Sequence, residues 1–325
     1  MITRRLFSTF RCLQHENPLG LPRSGTPPSF PRRRGLPEKR KIRDVKKVIA
    51  VSSAKGGVGK STIAVNLALS FARRGIRTGI LDTDIFGPSI PTLLDLSGEP
   101  RLDEKNCLIP LTNYGLKSMS MGYLLPPPAN QPPSESPSRQ PMDPTPISWR
   151  GLMVTKAMHQ LLHSVSWGPL DVLFLDLPPG TGDVQLTVNQ EIVLDGAVIV
   201  TTPQDIALRD AVRGFGMFQR MDVPVLGMVR NMAFFACPEC GTKTRIFSHG
   251  HSHGHDGGEG DWGVLAECKR LGVEFLGDIP LDARVCEDAD RGMPTVVAEE
   301  GKGSVRREAF MDVAEKVARK VGVEW

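Results

Sequence analysis

The chain has 325 residues, of which 40% are hydrophobic and 23% charged, a composition typical of a folded protein rather than of a disordered one. No apolar run reaches the roughly 18 residues that a membrane-spanning helix needs, so we expect no transmembrane segment. The formal net charge is +4, but residues 1–43 alone carry +9, which leaves a body with a charge of −5. A mildly acidic body argues against a nucleic-acid-binding protein.

The cysteines indicate the redox environment. There are six in the chain, too widely spaced for the disulfide framework of a small secreted domain. Only Cys237 and Cys240 are close together in the sequence. We therefore expect a reducing compartment and a metal or redox function for this one pair.

The N-terminal stretch has the composition of a targeting segment. Residues 1–15 combine three arginines with hydroxyl-bearing and large apolar side chains, and no acid precedes Glu16. This pattern is typical of a mitochondrial transit peptide, so we expect the mature protein in the matrix; a disordered basic tail is the alternative. Residues 17–43 are rich in Pro, Arg and Gly and predict a linker without a fold. A folded domain is then expected over 44–325.

A phosphate loop opens this domain. Residues 48–51 are β-branched or small, as a buried parallel strand requires, and residues 63–72 are apolar at helical spacing. The segment between them matches G-x-x-x-x-G-K-[ST], with Ala54 in place of the first glycine. Glycines let backbone N–H groups converge on phosphates, while Lys60 would reach the β- and γ-phosphates and Ser61 would bind Mg²⁺. The predicted nucleotide-binding residues are Ala54, Lys55, Gly56, Gly57, Val58, Gly59, Lys60, Ser61 and Thr62.

Acidic residues follow two further predicted strands. Residues 78–81 lead into Asp82 and Asp84, and residues 171–175 lead into Asp176. Acids at the carboxyl ends of strands beside a phosphate loop are placed to handle Mg²⁺ and water. The first two could instead cap the turn that follows them.

The alternation of strands and helices continues through the rest of the chain. Strands are predicted at 197–200 and 225–229, with a helix over 206–221 between them. The fold class is therefore α/β, a doubly wound, mostly parallel sheet with helices on both faces. A last amphipathic helix near 304–321 would pack on the sheet or lie on a membrane surface.

Two segments read as flexible insertions, a proline-rich one at 126–146 and a histidine-rich one at 248–261. The tract 249–255 could bind metal loosely or be an ordinary surface loop. His159 and His163 are four residues apart near the end of a predicted helix. With no acid between them, we interpret them as satisfied or solvated histidines.

The Cys237-x-x-Cys240 motif offers two thiolates, which bind zinc or the iron of a cluster. Two ligands are half of a four-coordinate site, and no second C-x-x-C occurs in the sequence. A symmetric dimer would bring two pairs together. A half zinc ribbon completed by histidines and a redox pair are the competing interpretations.

Several strings together resemble the Mrp/NUBPL-like family of P-loop ATPases, over about residues 45–300. They are KGGVGKS, LDTDIFGPSIP, ISWRGLMV, GPLDVLFLDLPPGTGDVQLTVNQ, DGAVIVTTPQDIAL, GMVRNMAFFACPECG and LGDIPLD. The resemblance implies a fold like that of MinD and the nitrogenase iron protein. It also implies an ATP-bridged homodimer that carries a labile [4Fe–4S] cluster between its subunits and transfers it to apoproteins. The mitochondrial members of this family are associated with assembly of respiratory complex I, so complex I subunits are the expected recipients.

The resemblance also implies roles for individual residues. Cys237 and Cys240 would ligate the cluster, and Lys55 would cross the dimer interface to the partner's nucleotide. The remaining roles concern ATP and Mg²⁺: Asp84 would orient the attacking water, Asp82 and Asp176 would serve Mg²⁺, and Asn231 would contact the adenine. Lys55, Lys60 and Asp84 are thus the predicted catalytic residues, and slow ATP hydrolysis suits such a switch.

Two other functions stay open at this point. A MinD- or ParA-like positioning ATPase would use the two cysteines structurally or for zinc. A metal chaperone would rely on the histidine tract 249–255.

Overall fold

The structure is a computed structural model, which describes residues 39–85, 87–124, 151–237, 240, 242–247, 263–299 and 304–325. The side chains of residues 151–155 and 183 are not part of this description. The predicted transit peptide and both predicted insertions, 126–146 and 248–261, lie outside the described residues.

An eight-stranded sheet forms the centre of the domain, and a separate two-stranded ribbon lies outside it. In chain order the strands are β1 (Val45–Ser52), β2 (Thr78–Asp82), β3 (Leu111–Asn113), β4 (Leu116–Ser120), β5 (Leu170–Asp176), β6 (Gly196–Thr201), β7 (Val225–Arg230), β8 (Phe235–Ala236), β9 (Lys243–Thr244) and β10 (Phe275–Asp278). The order in the large sheet is β10-β7-β6-β1-β5-β2-β4-β3, and β8 pairs with β9. Every neighbouring pair in the large sheet is parallel except β3 with β4, so the fold is the doubly wound α/β sheet that the sequence predicts.

Helices cover both faces of this sheet. They are α1 (Lys60–Arg73), α2 (Ile90–Leu93), α3 (Gly151–His163), α4 (Asp183–Glu191), α5 (Asp205–Arg220), α6 (Val264–Leu271), α7 (Ala283–Asp290), α8 (Thr295–Ala298) and α9 (Val305–Val321). Alternate residues of β1 point to opposite faces, since Ile49 and Val51 join one buried cluster while Val48 and Ala50 join the other. The first cluster includes residues of α1 and α9, and the second includes residues of α3, α5 and α6.

Helix α1 is largely buried. Its residues from Ile63 to Phe71 are all buried, because β1, β2 and β5 cover one side and α9 the other. Helix α9 buries Phe310 and Val317 among other residues against this core. This decides between the two alternatives for the last helix: it packs within the domain. Among the described residues, no helix is long and apolar enough to cross a membrane.

The structure differs from the sequence-based prediction in where the folded part begins and in strands β3 and β4. Arg40 already pairs with Ile192, and Ile42 is buried, so the folded part begins before the predicted boundary at residue 43. Strands β3 and β4 were not predicted. The buried Ser118 and Ser120 of β4 interrupt its apolar pattern, and the structure shows that their hydroxyls bond to Tyr123 and Asp82.

Candidate nucleotide site and cysteine ribbon

The phosphate loop runs from the end of β1 to the start of α1. Gly57 and Gly59 have φ values of 78° and 81°, the left-handed region that favours glycine. A Cβ atom on Gly59 would lie 2.3 Å from the Asn231 side-chain nitrogen. That nitrogen donates a hydrogen bond of 2.8 Å to the carbonyl of Val58. The chain after β7 therefore holds the loop in place, and a Cβ at residue 59 would displace the Asn231 amide.

A buried ion pair lies directly beneath the loop. The Lys60 ammonium nitrogen is 2.5 Å from Asp176 Oδ1 and 3.2 Å from the Ser61 hydroxyl. The Lys60 side chain is 7% exposed and that of Asp176 is fully buried. The second carboxylate oxygen, Asp176 Oδ2, is buried and has no hydrogen-bond partner among the residues that the structure describes. A buried carboxylate oxygen without a donor fits a site that a metal-bound water completes.

The start of α1 adds a site for anions. Gly59 is the N-cap residue, and no side chain of the described residues caps the first turn, so the N–H groups of that turn remain available to another acceptor. Around Gly56 and Gly57 there is open space where a side chain would otherwise lie. A helix N-terminus with exposed N–H groups and an adjacent lysine is a site that binds phosphate.

Asp82 has a different environment from Asp176. Its carboxylate is buried and accepts hydrogen bonds from the turn that follows β2 and from β4; the donors are the N–H groups of Asp84, Ser89 and Ile90 and the hydroxyl of Ser120. Burial, followed by the nearby charge of Asp176, raises the pKa of Asp82 to about 7. The geometry is that of the turn-capping alternative, in which Asp82 fixes the segment carrying Asp84. The predicted roles of both residues toward Mg²⁺ and water remain predictions.

Lys55 and Asn231 were expected at the nucleotide. Lys55 is half-buried in the loop, and among the described residues its ammonium group has no ion-pair partner. The predicted reach of Lys55 into a second subunit stays a prediction. Asn231 lies at the loop itself, through its bond to Val58, and its predicted contact with adenine stays a prediction.

The two cysteines lie on the small ribbon formed by β8 and β9. Cys237 follows β8 directly, and its N–H bonds to the carbonyl of Thr242 at 3.0 Å. Cys240 is exposed, and its sulfur is 3.1 Å from the Thr242 hydroxyl. The side-chain and backbone hydrogen bonds of Thr242, and a further one with Cys237, lower the pKa of Cys240. Both thiols are free; Cys240 is exposed and favours the thiolate, and Cys237 beside it is half-buried.

The sequence did not single out Thr242 or Ser120. Thr242 acts on the sulfur of Cys240 only because the ribbon turns back on itself. A hydroxyl two residues after the second cysteine is the one signal that could have pointed to it. Ser120 holds Asp82 from a neighbouring strand, and no local pattern in the sequence indicates that contact.

The parallel sheet, the glycine loop and the buried Lys60–Asp176 pair define a P-loop nucleotide-binding protein. Solved structures agree. The nucleotide-binding protein of Archaeoglobus fulgidus in complex with ADP has a TM-score of 0.63 at 32% identity, over 82% of this chain and 96% of that one. The cell division ATPase MinD of Pyrococcus furiosus has a TM-score of 0.55 at 17% identity, over 84% and 98%, and shows the shared fold alone.

The chain belongs to the NUBPL iron-transfer P-loop NTPase family, whose model matches residues 44–318. The iron-sulfur cluster transfer protein NUBPL of Mus musculus is 46% identical over 290 residues, which are 89% of this chain and 82% of that protein. An Arabidopsis thaliana relative, named as the mitochondrial iron-sulfur protein required for NADH dehydrogenase, is 40% identical over 86% of this chain and 80% of its own length.

Proposed function

We propose that this chain is an ATP-dependent iron–sulfur carrier. Two copies would hold one [4Fe–4S] cluster between their cysteine ribbons and transfer it to apoproteins. The observation that carries the proposal is a phosphate loop together with two free cysteines, Cys237 and Cys240, on a segment that Asn231 bonds to that loop; Cys240 is exposed and has a lowered pKa. The relatives named above are iron–sulfur proteins, which supports the same cargo.

The nucleotide site supports ATP and Mg²⁺ as ligands. Ser61 and Asp176 would hold Mg²⁺, because they offer oxygen donors and Asp176 Oδ2 has no partner in the described structure. Mg²⁺, when bound, would neutralise charge on the phosphates. Lys60 would exchange its carboxylate partner for phosphate oxygens, and Asp176 would then be free to orient metal-bound water.

Asn231 offers a route from the nucleotide to the cargo. It follows β7, bonds to the loop, and begins the segment that leads through Ala233 to the ribbon. A displacement of the loop on nucleotide binding or hydrolysis would move the Val58 carbonyl that Asn231 holds. ATP hydrolysis would depend on Lys60, Asp84 and the partner's Lys55. It would be slow, and it would control release of the cluster.

Complex I subunits are the proposed recipients, and the mitochondrial matrix is the proposed location. The plant relative's name includes both the mitochondrion and NADH dehydrogenase. The arginine-rich, acid-poor start of this chain is of the kind that mitochondrial import uses.

The test is anaerobic reconstitution of the full chain with iron and sulfide, with and without ATP. Cys237→Ala/Cys240→Ala is the test variant, and Cys286→Ala is the matched control, because Cys286 is exposed but lies on α7. We expect about two irons per chain in a dimer, which corresponds to one four-iron cluster per two subunits. The double variant should lose the iron, and the control should keep it.

Full iron uptake by the double variant would contradict the proposal. Zinc held by the same cysteines, without iron uptake, would also contradict it and would favour a positioning ATPase with a structural metal. Subunit association is measured separately by sedimentation. Lys55→Ala should weaken the ATP-dependent dimer.

A further inference from the structure

Two histidines and a glutamate meet away from the nucleotide site and the cysteine ribbon. His159 and His163 lie on α3, and Glu191 is the last residue of α4. One ligand atom from each of the three lies within 4.8 Å of the others. The two imidazole rings have centroids 4.7 Å apart, and His163 Nε2 is 3.3 Å from Glu191 Oε2. The acid that the sequence lacked between the two histidines comes from a different helix.

The spacing of these atoms fits a metal ion. Ligands bound at about 2.0–2.2 Å in a tetrahedral site lie roughly 3.3–3.6 Å from one another. The separation of His163 from Glu191 already has this value. Histidines four residues apart project from the same face of a helix, which is the arrangement by which two imidazoles bind one zinc ion. His159 is exposed and can rotate to close the remaining distance.

The surroundings anchor the backbone of Glu191 and leave the cluster accessible. The carbonyl of Glu191 accepts a 2.8 Å hydrogen bond from the N–H of Arg40, which fixes the end of α4. His163 also borders an open cavity of about 590 Å³, whose other lining residues include Asp103 and Glu104 as well as Arg43. A cation can therefore reach the cluster from solvent.

We propose that His159, His163 and Glu191 bind a divalent first-row transition-metal ion of the Zn²⁺ type, with solvent completing its coordination. Two imidazole nitrogens and a carboxylate suit Zn²⁺, Co²⁺ and Fe²⁺, whereas Mg²⁺ and Ca²⁺ prefer sites made of oxygen alone. The bound ion would link the end of α3 to the end of α4. Helix α4 begins shortly after Asp176, the carboxylate that pairs with Lys60.

An ordinary hydrogen bond between His163 and Glu191 is the simpler explanation of the 3.3 Å contact. It assigns no function to His159. The two explanations are separated by whether removing His159 weakens metal binding.

The experiment must remove the other sites that would bind the same ions. The chain has seven histidines, and four of them lie in the tract 249–255. We would use the full chain with Cys237→Ala and Cys240→Ala and with these four histidines replaced by alanine. His15, His159 and His163 are then the histidines that remain. Circular dichroism of the metal-free protein would verify that this background and each variant are folded.

Co²⁺ and Zn²⁺ serve as probes, in equilibrium dialysis and in Co²⁺ absorption. We expect one equivalent of Co²⁺ with ligand-field bands and without the charge-transfer band that a thiolate gives. His159→Ala, His163→Ala and Glu191→Gln should each weaken binding at least tenfold. Gln160→Ala is the matched control, because Gln160 is exposed and follows His159 directly in the sequence. It should not change the affinity for Co²⁺.

Zn²⁺ should also raise the midpoint of thermal unfolding in the background protein and in Gln160→Ala, but not in the three variants. Binding that is equally strong in His159→Ala would overturn the proposal, as would the absence of a one-equivalent site in the folded background. Because this background already lacks the cluster ligands, the outcome is independent of whether the chain carries a cluster.

Discussion

Lys60 and Asp176 form a buried ion pair, 2.5 Å between the ammonium nitrogen and Oδ1, that joins the start of the first helix to the end of β5. The pair occupies the lysine that a nucleotide would need, and in the described part of the chain Asp176 Oδ2 has no partner. In the described structure the Asp176 carboxylate thus binds the Lys60 ammonium group that would otherwise bind phosphate. On nucleotide binding, phosphate would replace Asp176 as the partner of Lys60, and this exchange would change the contact between the loop and the end of β5.

Removing only the lysine should destabilise the nucleotide-free protein. Lys60→Met leaves the Asp176 carboxylate buried and unpaired, so we expect a loss of about 3–5 kcal/mol in the free energy of unfolding, together with loss of ATP binding. Denaturant unfolding without nucleotide measures the first effect. Lys55→Met is the matched control and should change stability by less than about 0.5 kcal/mol, because Lys55 has no ion-pair partner among the described residues.

The double variant Lys60→Met/Asp176→Asn separates the cost of the unpaired charge from the loss of packing. It should recover most of the lost stability, since the amide at position 176 carries no charge that a lysine would have to balance. A double variant no more stable than Lys60→Met would show that the ion pair is not the cause.

Gly59→Ala tests the contact between the phosphate loop and Asn231. The substitution puts a Cβ atom 2.3 Å from the Asn231 nitrogen at a φ of 81°, so we expect a loss of at least about 2 kcal/mol in unfolding free energy. Gly56→Ala is the control in the same loop, because open space surrounds Gly56, and it should cost less than about 1 kcal/mol. Equal losses in the two variants would contradict the assigned contact.

The reactivity of Cys240 should depend on Thr242. Removing the hydroxyl in Thr242→Val takes away the strongest influence that lowers the pKa of Cys240. We expect the pH profile of Cys240 alkylation to move to higher pH, with slower modification at neutral pH, as read by mass spectrometry of its peptide. Thr244→Val, on the same ribbon, is the control and should leave the profile in place. A shift of the same size in the control would refute the role of Thr242.

Asp82 should make stability depend on pH. Its pKa is about 7 in the folded protein against an ordinary value of 3.8, so the folded state holds a proton that the unfolded chain has released. The resulting stabilisation is complete below about pH 4 and is lost as the pH rises through 7. In Asp82→Asn this component is absent, so the unfolding free energy of the wild type relative to the variant should fall between pH 4.5 and 7.5. Parallel pH dependences, measured with chelator and without nucleotide, would contradict the assignment.

The sequence by itself was enough to predict the sites whose residues lie next to one another in the chain. The phosphate loop and the C-x-x-C motif each lie within one short segment, where local backbone geometry already fixes which atoms converge. The alternation of apolar strands and helices likewise predicted the parallel sheet. It failed at β4, whose buried serines gain their partners only after folding.

Tertiary structure decided which distant side chains meet. Lys60 and Asp176 are 116 residues apart, and Asn231 is 173 residues from Val58. These contacts follow from the strand order, which places β1 between β5 and β6 and brings their carboxyl ends to one edge. Glu191 completes the histidine pair in the same way, because α4 packs its last residue beside α3. Such pairings depend on how the elements are ordered in space, and no local pattern of residues encodes that order.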